Sequence, residues 1–153
     1  MAGSTEAFTA AGTIISISAA LPASVTASAY DALTYTEIGE VTDGGSIGRT
    51  YNKVNHLPLG KRGLVKIKGS FDDGTLTIQA AFAPGDAGQA LVETALDDDA
   101  FYSIKIELQD GTKIFSQAQV TSAPVAIGTA DTVVGTTFAL AIKSGSIKRK
   151  LPA

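Results

Sequence analysis

Cysteine and tryptophan are absent from these 153 residues, and histidine occurs once. Without cysteine there is no disulfide to staple the fold and no thiolate to act as a nucleophile. With His56 as the only imidazole, a structural zinc site of the usual nitrogen and sulfur kind is excluded. Charge is also scarce, at 18% against about 25% in a typical soluble domain. A small chain with so few charges hides more of its surface in an assembly. No run approaches the roughly 20 consecutive apolar residues of a membrane-spanning helix. A secretory signal is poorly supported. Thr13–Ala20 is apolar and Ala27-Ser28-Ala29 imitates a cleavage site, but the first dozen residues hold Glu6 and no base. A signal peptide starts cationic, and the alternation of Ile15, Ile17 and Ala19 reads instead as a strand.

What is present is a mixture of Ala, Ile, Val, Leu, Thr and Ser punctuated by sixteen glycines. Branched residues and turn formers in that proportion suit an antiparallel β domain. The length fits one domain over residues 1–153. The formal charge of −3 is unevenly distributed. Residues 1–48 hold five acids and no base, and residues 49–71 hold six bases and no acid. Residues 72–110 hold nine acids against Lys105, and residues 111–153 hold five bases against Asp131. Blocks of alternating sign neutralise one another within a fold, spread over a mixed solvated surface, or meet on neighbouring copies.

Along the chain, an arm over about 1–11 precedes a strand over 12–18. Leu21–Leu33 reads as a loop or arm, and Thr36–Val41 as a short strand broken by Asp43-Gly44-Gly45. A long segment over about 43–63 reads as a loop or a protruding hairpin, carrying Arg49, Lys53, Lys61 and Arg62. Loops that long are uncommon unless they bind something or are disordered. Leu64–Phe71 alternates, with Val65 and Ile67 on one face, and Asp72-Asp73-Gly74 forms a turn into Thr75–Phe82. Together they predict a hairpin with Leu76, Ile78, Ala80 and Phe82 facing inward. Asp86 is a good N-cap, and Gln89 three residues on completes a capping-box pattern. One helix is therefore predicted over about 86–97, with a stripe of Ala87, Ala90, Leu91, Thr94 and Ala95. Strands follow over 101–108, over 112–127 with a bend near Pro124, and over 132–142. A basic tail closes the chain over about 146–153.

The search for chemistry returns little. His56 stands between Asn55 and Leu57 in a loop rich in Pro and Gly, with no triad partner nearby. Asp97, Asp98 and Asp99 do not follow the alternate spacing of a calcium loop, whose sixth position is Gly and is here Tyr102. Carboxylates at a helix C-terminus also meet the negative end of its dipole. The triplet reads as a solvated helix exit or as an acidic patch facing a basic neighbour. "GSIGRT" lacks the spacing and the lysine of a phosphate-binding loop. Residues 46–63 offer Tyr51 as their one aromatic, where single-strand nucleic-acid platforms use several. No catalytic residue, metal or cofactor is assigned.

The segments "KIKGSFDDGTLTIQAAFAPGD", "AGQALVETALDDDAFYSIKIEL", "QDGTKIFSQAQV" and "TVVGTTFALAIKSGSI" together resemble, in their order, the major tail tube proteins of long non-contractile, lambda-like phage tails. With the polar loop ahead of them they cover about two-thirds of the chain, and the N-terminal third matches less well. The resemblance implies a mainly β protein, an antiparallel sandwich or partial barrel with one flanking helix. It implies self-association into hexameric rings stacked as a tube that conducts double-stranded DNA without binding it specifically. Its partners would be further copies, a tape measure protein, a tail terminator and tail tip proteins. Its place would be the virion tail, after assembly in the host cytoplasm.

On that footing Arg49, Tyr51, Lys53, His56, Lys61 and Arg62 are candidates for ring stacking. Asp97, Asp98 and Asp99 are candidates for the acidic side of an interface. Thr75, Thr77, Gln79 and Glu107 are candidates for the lumen, where a neutral or acidic surface lets DNA slide. Two other readings compete. An exported fimbrial or surface β-sandwich subunit requires a cleaved signal. A ligand-binding sandwich module requires exposed aromatics. An enzyme is the reading with least support.

Overall fold

The computed structural model describes residues 3–152, so Met1, Ala2 and Ala153 of the expected arm and tail lie outside the described residues. The elements in order are β1 (Ile14–Ser18), α1 (Ala27–Asp31), β2 (Thr36–Glu37), β3 (Val41–Asp43), β4 (Thr50–His56), β5 (Val65–Asp72) and β6 (Thr75–Ala81). Then follow α2 (Ala87–Leu96), β7 (Tyr102–Glu107), β8 (Lys113–Ser122), β9 (Val125–Ala126), β10 (Gly135–Ile142) and β11 (Lys148–Lys150). Nine strands form one antiparallel sheet in the order β2-β1-β7-β8-β10-β6-β3, with β11 beside β8 and β9 beside β10. Among the described residues β4 and β5 pair only with each other.

Period-two alternation builds the sheet. Ile17 faces Ile104 across β1 and β7, Phe138 faces Ile78 and Leu140 faces Leu76 across β10 and β6, and all six are at most 1% exposed. Each fully buried aliphatic side chain contributes about 1.5–3 kcal/mol. The sheet curls around this core because one short segment ties its two margins together. β2 pairs with β1 at one margin and β3 pairs with β6 at the other, with Ile38–Glu40 alone between them. Four peptide steps span at most about 15 Å, so the margins must approach each other. Ile38 donates its N–H to Ile15 at 2.9 Å, and Glu40 accepts from Ala81 at 2.9 Å. Glu40 turns the corner at φ 59, a left-handed conformation that otherwise favours glycine.

α2 closes the curled sheet from the core side, with Val92 and Ala95 in the main cluster. Asp86 caps it, accepting from the Gln89 N–H at 3.0 Å, a contact worth about 1 kcal/mol. The same carboxylate oxygen accepts from the Gly39 N–H at 3.0 Å. Gln89 does not complete the capping box. Its amide accepts from Ala83 at 3.0 Å and donates to Gly39 at 3.0 Å and Ala81 at 2.9 Å, so it rivets the helix to the crossing segment. The helix start therefore lies against the backbone of residues 37–40. The buried positions are Gly88, Gln89, Val92 and Ala95, not the expected stripe, of which Ala87, Ala90 and Thr94 are exposed.

Four further expectations are corrected. β5 does not pair with β6, because residues 72–74 form an anchored corner: Asp73 is buried, and Gly74 accepts from the Ile142 N–H at 3.1 Å. Phe82 is 36% exposed and does not face the core. Of the two readings of residues 43–63, the protruding hairpin holds from Thr50, where β4 begins. The stretch before Leu33 holds α1, where Thr26 caps and Tyr30 is fully buried, so there are two helices among the described residues. The basic tail includes β11, which pairs with β8 at Lys148–Phe115.

A Cβ added at Gly88 would lie 2.1 Å from the Glu37 carbonyl oxygen. The variant G88A is expected to lose about 1–3 kcal/mol of stability by overpacking, read from urea unfolding. The exposed neighbour variant A87S is expected to change it by less than about 0.5 kcal/mol.

Candidate assembly surfaces

The β4–β5 hairpin has two unlike faces. Val54 stands opposite Ile67, and His56 opposite Val65. Lys53 stands opposite Lys68, and Asn55 opposite Lys66. Alternation puts the first four on one side and the second four on the other. The apolar side is unpartnered: Val54 is 50% exposed and Ile67 52%. Leu57, Leu59 and Leu64 at the tip are also exposed. On the other side two lysines directly oppose each other, an arrangement that destabilises an isolated sheet. Among the described residues the ion pairs are Arg49–Asp73, Lys113–Asp31 and Lys150–Asp31, so none of the hairpin's lysines is neutralised within the chain. Lys61 and Arg62 lie exposed in the tip between the strands.

Two of the stacking candidates sit at the hairpin's root. Arg49 donates through Nε to Asp73 Oδ1 at 2.9 Å, with its guanidinium carbon 3.9 Å from the centroid of the Phe71 ring. Tyr51 stands 5.6 Å from Phe71, centroid to centroid, with the Lys68 ammonium 4.8 Å from its ring. Arg49 is therefore engaged within its own chain, whereas Lys53, His56, Lys61 and Arg62 point to solvent.

The acidic triplet lies at the α2 exit. Asp97 is the C-cap residue. Asp98 is tied down, accepting from the Ala100 N–H at 3.1 Å and the Tyr102 hydroxyl at 3.0 Å. Burial, then that carboxylate, raise the Tyr102 hydroxyl above its ordinary pKa. Asp97 and Asp99 are exposed, and no base among the described residues engages them.

The outward face of the main sheet is divided. Over β8 and β11 it is covered by α1. Tyr30 stacks on Phe115 at 5.5 Å and donates to the Ser146 carbonyl at 3.0 Å, while Asp31 receives Lys113 at 3.0 Å and Lys150 at 2.6 Å. Over β6 and β10 it is bare. Thr75 faces Ala141, Thr77 faces Ala139, and Gln79 faces Thr137. All six side chains are uncharged, and Thr121 continues the patch onto β8. The structure thus groups three of the four lumen candidates. Glu107 stands opposite Lys113 on β7, separated from β6 by β8 and β10. The sequence reading missed Thr137, Ala139 and Ala141, although their alternation with the apolar face of β10 carried the signal.

No family model matches the chain, and neither does any curated protein. Solved structures do resemble it. A chain from the tail of an empty GTA particle, refined with C6 symmetry, superposes with TM-score 0.67 at 13% identity, covering 96% of this chain and 100% of that one. A chain of the anti-feeding prophage baseplate gives 0.66 at 12% identity, covering 96% and 97%. The SPP1 tail tube gives 0.60 at 15%, covering 92% and 78%. The curled antiparallel sheet with its short helices is therefore a fold found in chains of phage-like tail assemblies, the SPP1 tail tube among them.

Asp31 and Asp73 titrate below the ordinary carboxylate range. At Asp31 the hydrogen bonds from Lys150 and Lys113 outweigh burial. At Asp73 burial raises the pKa, but the Arg49 hydrogen bond and the Gly145 N–H together lower it further. The unfolded chain therefore takes up protons first on acidification. The stability these groups supply is complete above about pH 4 and is lost as pH falls through their folded values. The thermal midpoint is expected to hold from neutral pH to about pH 4 and to drop beneath it. A midpoint that rises on acidification contradicts the assignment.

Proposed function

We propose that this chain is the structural subunit of a phage-type tail tube, with no catalytic role. Copies associate side by side into rings, six-membered as the resemblance implies, and rings stack into a hollow tube. The observation that carries the reading is the β4–β5 hairpin, a two-stranded arm with an uncovered apolar face and an unneutralised cationic face. A heterologous interface that closes makes a ring, and its unclosed axial repetition makes a filament. The apolar face, with His56, Val54 and Ile67, lies on the adjacent ring. Lys53, Lys61 and Arg62 meet acids there, for which Asp97 and Asp99 are the candidates.

The bore is assigned to the uncharged face of β6 and β10. A polyanion passing a cationic lumen would be held by counterion release. Thr75, Thr77 and Gln79 with Thr137, Ala139 and Ala141 offer no such charge, so double-stranded DNA slides past without specific binding. Glu107 lies outside this surface. The tape measure, terminator and tip proteins are the expected partners, and the virion tail is the place of action after assembly in the host cytoplasm. No observation favours the fimbrial alternative.

The variant K53E/K61E/R62E is expected to fold as a monomer with unchanged circular dichroism and to form no tubes by negative-stain microscopy. Adding D97K/D99K to the same chain is expected to restore them, because every copy carries both sides of the contact. Normal tubes from the first variant remove the hairpin charges from stacking. For the bore, T77K/A139K tubes are expected to retain DNA at low salt and release it as salt rises, whereas unmodified tubes retain none. Equal retention by both would place this face elsewhere.

A further inference from the structure

Among the described residues the β4–β5 hairpin shares no ladder with the main sheet, so its direction depends on two short crossings at its root. On the exit side, the corner at Asp72, Asp73 and Gly74 leads into β6. On the entry side, the crossing runs from Gly44 to Arg49. Asp73 joins the entry crossing to the body through side-chain bonds, beside two other contacts: the Gly74 carbonyl, which accepts from the Ile142 N–H, and Ile47, which packs against the core. The Asp73 side chain has no exposure. One carboxylate oxygen receives Arg49 at 2.9 Å from the entry crossing, and the other receives the Gly145 N–H at 2.6 Å from the turn between β10 and β11. Arg49 is also sandwiched against the hairpin, 3.9 Å above Phe71 and with its Nη1 3.4 Å from the Tyr51 hydroxyl.

We propose that the Arg49–Asp73 pair is a strut that fixes the direction of the β4–β5 hairpin before a second copy arrives. A carboxylate is needed because each of its two oxygens accepts from a different part of the chain. An arginine is needed because its flat guanidinium donates to the carboxylate edge-on while its face lies on an aromatic ring. A lysine would supply the charge without the plane. The strut lowers the ordering cost that an arm otherwise meets on association, since a preset arm loses less conformational freedom. That use in assembly rests on the tube reading. The strut itself does not, and it is measurable in the isolated monomer.

Because the chain has no cysteine, two can be placed without background. Leu59 at the hairpin tip and Thr94 on the outer side of α2 are both exposed. Spin labels on L59C/T94C are expected to give one narrow distance distribution by pulsed electron resonance. R49M/D73N, which leaves no unpaired buried charge, is expected to broaden it at least twofold with unchanged circular dichroism. R49K, which keeps the charge opposite Asp73, is expected to broaden it too and covers the case where the double variant does not fold. Tubes from R49K are expected to need several-fold more protein. A distribution that stays narrow in R49K overturns the strut. A narrow unmodified chain that broadens in R49K, yet never forms tubes, leaves the strut standing and overturns the tube reading.

Discussion

A two-stranded hairpin is at best marginally stable alone in water, because neither of its faces is covered. This chain carries such a hairpin from Thr50 to Asp72, with Val54 and Ile67 uncovered on one face and lysines opposed on the other. Both faces are unsatisfied in isolation, in opposite ways. Apolar area calls for a dry partner, and like charge calls for carboxylates. On the proposed reading a second copy covers both, and the exposed Asp97 and Asp99 at the α2 exit are its candidate carboxylates. The remainder of the fold is the mount for this arm.

The sheet of the mount is curled, with its two margins brought together. The crossing at Ile38–Glu40 ties one margin to the other, and Asp86 and Gln89 hold α2 over the junction. An open sheet edge invites indiscriminate pairing. Here the two margin strands are two and three residues long, and each is joined to the other by the same segment. The outward face is then split by chemistry. Its β8 and β11 part is covered by α1 and the Asp31 ion pairs, and its β6 and β10 part is left bare and without charge. A surface of threonine, glutamine and alanine carries no charge to hold or repel a polyanion, the property that the proposed bore requires.

Much of this was written locally in the sequence. The alternation of β6, β7 and β10 named their buried residues because a strand between core and solvent has no other solution. Asp86 announced α2 because a carboxylate at that position satisfies a free helix N–H. The partners were less legible. Asp72-Asp73-Gly74 carries the composition of a hairpin turn, and only the burial of Asp73 against Arg49 and Gly145 shows it to be a corner. The alternation of Val65 and Ile67 looks like a core face, yet this chain leaves that face exposed. Period-two patterning reports that a face will be covered, not which chain covers it. α1 was hidden because its five residues bury one large side chain, Tyr30, and show no helical stripe.

The account therefore stands on association covering the hairpin. Amide hydrogen exchange at residues 50–56 and 65–72, read as a function of protein concentration, tests this most directly. Exchange there is expected to slow by at least about tenfold as the chain assembles, while exchange in β7 and β10 stays constant. Exchange at the hairpin that does not change with concentration, in a sample that sediments as a single monomeric species throughout, would contradict it.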